Sequence, residues 1–128
     1  MKTREDVEAL ERLIGQLQGL HNEISQLAKK APNDAVNTFK LKLTNKVIET
    51  GNTVLSEGYR PFVEFEEFDV DDVPTNSDVT LILSQYMEQA ERYRSDNIKN
   101  ERRVWVYVLG GKASDIKAAP PSRIGSKK

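Results

Sequence analysis

Apolar residues recur along the start of the chain at the alternating three- and four-residue step of a helix seam. Val7, Leu10, Ile14, Leu17, Ile24 and Ala28 form one line with His21 among them, and Leu13, Leu20 and Leu27 widen it. The spacing predicts a helix over residues 3–30, about 40 Å long at about 1.5 Å per residue. Thr3 and Asp6 stand at capping-box spacing, Glu5, Asp6 and Glu8 lie where the helix dipole favours acids, and Lys29 and Lys30 suit its other end. Pro32 stops the helix, and Asn33 or Asp34 can cap the next. A stripe of this length has to be covered, by a bundle, by a second copy, or by both.

The pattern predicts a second helix over residues 34–57, with Val36, Phe39, Leu43, Val47 and Val54 on one line and Gly58 just past its end. Leu41, Ile48 and Leu55 form a second line about 120° round the axis, so this helix is expected to pack on two sides, either as the central helix or with one side facing a partner. A third helix is expected to start at Thr75, Asn76 or Ser77 and reach about Asn97. Its apolar face carries Val79, Ile82, Leu83, Tyr86, Met87, Ala90 and Tyr93.

Two segments do not read as helix. Phe62, Val63, Phe65, Phe68, Val70 and Val73 fall within the acidic connection between the second and third helices, which is long for a bundle. It is expected to cross the bundle extended, with its aromatics buried. Residues 104–109, Val-Trp-Val-Tyr-Val-Leu before Gly110-Gly111, read as a short strand, with a continued third helix as the alternative. The strand would pair with residues 62–68 and bury Trp105 beside the aromatics there. The fold class expected is mainly α: an antiparallel bundle of three long amphipathic helices with an extended acidic connection and a small C-terminal β element. Residues 1–117 make one helical domain, and residues 118–128, with Pro120-Pro121 and terminal lysines, make a flexible basic tail.

Charge sharpens this picture. Between residues 59 and 78 seven acids, Glu64, Glu66, Glu67, Asp69, Asp71, Asp72 and Asp78, stand against Arg60 alone. Between residues 92 and 128 ten bases stand against Asp96, Glu101 and Asp115. The two regions can meet within one chain, across a dimer, or each meet something else. No cysteine, no apolar membrane-length run and no apolar leader in the sequence point to a soluble cytoplasmic protein without membrane contact.

Candidate chemistry is sparse. His21 is the only histidine and reads as a core-edge residue, and without cysteine the usual thiol and transition-metal sites have no ligands. Gly110-Gly111-Lys112 lacks the earlier glycine of a phosphate loop, that position being Val106, and Asp69, Asp71 and Asp72 lack the register of a calcium loop. Gly15 and Gly19 lie on the polar side of the first helix, either as tolerated surface glycines or as a point of close approach. The sequence therefore predicts no catalytic, metal or cofactor site. The function expected is a non-enzymatic interaction module that self-associates as a homodimer, with candidate partner-binding residues Leu41, Ile48, Leu55, Arg102, Arg103 and Trp105. The alternatives are a nucleic-acid-binding accessory protein, with Arg92, Arg94, Lys99, Arg102 and Arg103 beside the rings of Trp105 and Tyr107, and an acidic decoy of a basic partner through residues 64–72.

Overall fold

The computed structural model describes residues 1–122. Among these residues the chain forms α1 (Arg4–Lys30), α2 (Thr38–Tyr59), α3 (Asn76–Ser95), β1 (Ile98–Glu101), β2 (Val104–Leu109) and β3 (Lys112–Lys117), with a 3₁₀ turn at Val70–Asp72. The strands form one antiparallel sheet in the order β1-β2-β3. The mainly α antiparallel bundle is thereby corrected to a mixed α/β fold, and the sheet is more than a small element. Residues 104–109 are its central strand, and the helix alternative falls.

Local signals at the helix ends hold. Thr3 accepts from the Asp6 N–H, and the Asp6 carboxylate accepts from the Thr3 N–H, closing a capping box on α1. Thr75 and Asp78 do the same for α3. The cap of α2 is Asn37 rather than Asn33 or Asp34, because Asp34 and Val36 are already engaged in backbone bonds to Asn76 and Pro74. At its far end α2 breaks at Ser56, with φ of 55°, before reaching Gly58.

Helix packing places the second line of α2 in the core rather than against a partner. Leu41, Ile48 and Leu55 are 2, 0 and 0 % exposed and belong to the core shared with α1 and α3. Phe39 and Leu43, from the first line, are 68 and 41 % exposed, whereas Val36 and Val47 of the same line are buried. The buried face is centred on Thr44 and Gly51, small residues that a search for large apolar ones passes over. Gly51 lets α3 approach so closely that an added Cβ would lie 3.2 Å from the Tyr86 ring.

α1 runs antiparallel to both other helices, but α2 and α3 are parallel. At their starts Ala35 bridges Thr75, and the Val36 N–H donates to the Pro74 carbonyl at 3.0 Å. At their ends the Tyr59 and Tyr93 rings lie 4.8 Å apart, and the Tyr59 hydroxyl donates to Asp96 at 2.6 Å. The chain between them therefore travels back along α2.

The sheet packs on the start of α1 through a second core of Val7, Ile98 and Tyr107, with Met1, Trp105, Leu109 and Ile116 around it. Trp105 is half-buried here, not beside the aromatics of the acidic connection, and β2 pairs with β1 and β3 rather than with residues 62–68. Both hairpins turn in two residues with positive φ, the geometry matching the twist of paired strands. Gly110 and Gly111, at 59° and 83°, adopt it without strain. Arg102 and Arg103, at 54° and 72°, adopt it at about 1–2 kcal/mol each.

No helix among the described residues is long and apolar enough to cross a membrane. Gly15 and Gly19 have open space where a Cβ would go. Gly15→Ala and Gly19→Ala are each expected to stabilise the protein by about 1 kcal/mol, raising Tm by several degrees in a thermal melt.

Candidate functional site

Two features of the fold concentrate polar chemistry. The first is a buried ion pair on the last turns of α3. Glu91 and Arg94 are 6 and 7 % exposed. Arg94 Nε donates to Glu91 Oε1 at 2.8 Å and Nη2 to Oε2 at 3.0 Å, while Ser95 Oγ and the Ser122 N–H add bonds of 2.9 and 2.8 Å to Oε2. The same guanidinium donates to the Ala119 and Pro120 carbonyls, both at 2.8 Å. The pair thus reads the backbone of residues 119–122 and pins it against α3. The expected flexible tail begins with this held stretch; its remainder, residues 123–128, lies outside the described residues.

Burial pushes the Glu91 carboxyl up, but the bonds from Arg94, the Ser122 N–H and Ser95 outweigh it and hold it below the ordinary glutamate value. Arg94 is raised by its bonds to Glu91. Beside the pair lies a cleft of about 260 Å³ lined by Glu11, Gln18, Glu91, Arg94, Tyr107 and Ser122. The Tyr107 hydroxyl donates to Glu11 at 2.9 Å, and burial together with that bond pushes it up to about 12. Carboxylate, guanidinium and phenol are all engaged in holding the fold, and their chemistry here is to clamp a peptide segment.

The second feature is the strap, residues 60–75. Asn45 Nδ2 donates to the Phe68 carbonyl at 2.9 Å while its Oδ1 accepts from the Phe68 N–H at 2.9 Å. One heptad on, Asn52 Nδ2 donates to the Glu66 carbonyl at 3.2 Å, and its Oδ1 accepts from the Tyr86 hydroxyl at 2.6 Å. Arg60 Nη2 donates to the Phe65 carbonyl at 2.7 Å. Phe65 and Phe68, edge to face at 5.2 Å, pack on the main core.

With the strap fixed in this way, most of its side chains between Phe62 and Val73 other than Phe65 and Phe68 face water. All seven acids from Glu64 to Asp78 are exposed, as are Phe62, Val63, Val70, Val73 and Leu81, the last two at 58 and 59 %. Val73 also takes left-handed backbone, φ 50° and ψ 59°, an outlier for a β-branched residue. Where the strap meets α3, Phe68, Asp72, Pro74, Asp78, Leu81 and Ile82 line a cleft of about 330 Å³. Among the described residues the one ion pair of these acids is Arg60 to Glu66 at 3.9 Å, and none links the strap to the basic C-terminal region.

The residues that sequence singled out are not brought together. Leu41, Ile48 and Leu55 are core, Trp105 faces the start of α1, and Arg102 and Arg103 stand exposed at the β1–β2 turn. His21 is half-buried on α1, and among the described residues no three His, Cys, Asp or Glu side chains group as metal ligands would. Sequence reasoning passed over Asn45, Asn52 and Glu91, and counted Arg94 among the bases of the nucleic-acid alternative rather than as half of a buried pair. The heptad spacing of the two asparagines beside the buried line of α2 was the available signal for the first pair. For the second it was Ala90, whose apolar neighbourhood extends to Glu91 and Arg94.

Compared with protein-family models, curated proteins and solved structures, the chain matches none.

Removing one partner of the buried pair leaves an uncompensated charge, so Arg94→Ala is expected to cost about 3–5 kcal/mol by denaturant unfolding. Because the Glu91 value is depressed in the folded state, its stabilisation is complete above the ordinary 4.5 and is lost as pH falls through the folded value. The wild-type melting temperature should drop across that acid range, more steeply than that of Arg94→Ala.

Proposed function

We propose that the protein is a non-enzymatic interaction module that self-associates, and that its docking face is the strap with the first turns of α3. The observation that carries this reading is the coincidence, on one stretch of chain, of exposed apolar side chains with exposed acids, of which only Glu66 has an ion-pair partner among the described residues. Scattered exposed apolar residues are ordinary, but here five fall within residues 62–81, interleaved with acids and, at Val73, kept at a backbone conformation that asparagine or glycine would adopt with less strain. The lines first proposed for contact, Leu13/Leu20/Leu27 and Leu41/Ile48/Leu55, contribute little free surface, since Leu13 and the whole second line are buried. The basic region offers a nucleic-acid partner charge without ring stacking, because Trp105 and Tyr107 belong to the internal core; that reading is not favoured.

Sedimentation equilibrium at micromolar concentration tests the proposal: a species of twice 14.5 kDa is expected, and a monomer at high concentration would contradict it. Leu81→Ser should weaken association about tenfold or more, since burying a leucine contributes about 1.5–3 kcal/mol. Val73→Asn should act in opposite directions on the two equilibria, raising the unfolding free energy of the monomer and lowering the affinity of the dimer.

A further inference from the structure

We propose that the occupant of the strap cleft is the Arg102–Arg103 hairpin tip of a second copy, a pairing that rests on the self-association reading above. The cleft has an apolar floor of Phe68, Pro74, Leu81 and Ile82 and carboxylates from Asp72 and Asp78. That composition suits an arginine, whose stem is apolar and whose planar guanidinium pairs with a carboxylate through two parallel bonds. Asp71 and Asp72 form no ion pair among the described residues, and neither do Arg102 and Arg103. Val104, exposed at 42 % next to the tip, extends the match, apolar and basic on one surface against apolar and acidic on the other.

The tip is itself unusual. The β2–β3 hairpin solves the same turn with Gly110-Gly111, whereas the β1–β2 hairpin holds two arginines in left-handed backbone and supports them with a bond from the Arg103 N–H to Asn100 Oδ1 at 2.9 Å. The turn geometry selects for glycine or asparagine, so two arginines there answer to something other than the turn.

One chain cannot make this contact with itself. The cleft lies at the start of α3 and the hairpin leaves from its end, about 30 Å along the helix, and among the described residues no ion pair joins the two. Two copies related by a two-fold axis and lying antiparallel along α3 would place each tip at the other's cleft, making both contacts at once.

Charge exchange tests the pairing without relying on a destabilised fold. In one variant Arg102→Asp and Arg103→Asp invert the tip with residues that tolerate left-handed backbone better than arginine. In a second, Asp71→Lys and Asp72→Lys invert the cleft and spare Asp78, which caps α3. In sedimentation equilibrium each variant alone should associate at least tenfold more weakly than wild type, and an equimolar mixture of the two should recover the dimer, because each tip then meets a cleft of opposite sign. If wild type is dimeric and either variant stays dimeric, or the mixture fails to recover, the pairing is overturned while self-association stands. If wild type is a monomer, both fall. A monomer that binds a mixed-sequence single-stranded oligonucleotide through Arg102 and Arg103 would assign the tip to phosphates instead.

Discussion

The parallel course of α2 and α3 is the constraint on which the rest of the structure depends. Parallel neighbours cannot be joined by a short turn, so residues 60–75 must run back along α2, and a segment lying on a helix surface carries backbone groups that need partners. Asn45 and Asn52 supply them. The two bonds between Asn45 and Phe68 reproduce with a side-chain amide the pairing that a neighbouring strand would give, and Tyr86 orients Asn52 from α3. Once the strap is fixed, Phe65 and Phe68 reach the core and the side chains around them, from Phe62 to Val73, are left to solvent. The acidic and apolar surface is a consequence of that commitment.

The distribution of charge follows from the same layout. A chain with strong acidic and basic regions would ordinarily neutralise itself, but the strap precedes α3 and the hairpin follows it, and among the described residues no ion pair joins them. The base nearest the C-terminal segment, Arg94, is consumed by Glu91 and by the carbonyls of Ala119 and Pro120. What is left at the surface is a pair of complementary patches that one chain does not bring together, and attraction between such patches weakens as salt screens it over about 8 Å at physiological ionic strength.

Legibility in the sequence tracked how local the cause was. The α1 capping box, the start of α3 near Thr75 and the strand at residues 104–109 were readable because each is set by residues a few positions apart. The buried face of α2 was not, because Thr44 and Gly51 lie at its centre and Gly51 is small opposite Tyr86, a contact between distant residues. β1 and β3 escaped because Lys-Asn-Glu and Lys-Ala-Ser-Asp-Ile-Lys alternate too weakly to signal a half-buried strand; their partner β2 supplies the order. Glu91 and Arg94 have the spacing of an ordinary surface pair on a helix, and burial came only with residues 119–122 folding over them. Of the candidate site, Arg102 and Arg103 were recognised as available charge, but the cleft was invisible until the strap was placed.

Amide hydrogen exchange at Phe68 tests the central claim most directly, since its N–H is bound only to a side chain and reports the strap rather than a helix or sheet. The account expects strong protection in wild type and its loss in Asn45→Ala, with the amides of α1 and α3 unchanged. A Phe68 amide that already exchanges in wild type at the rate of an unprotected chain would contradict it.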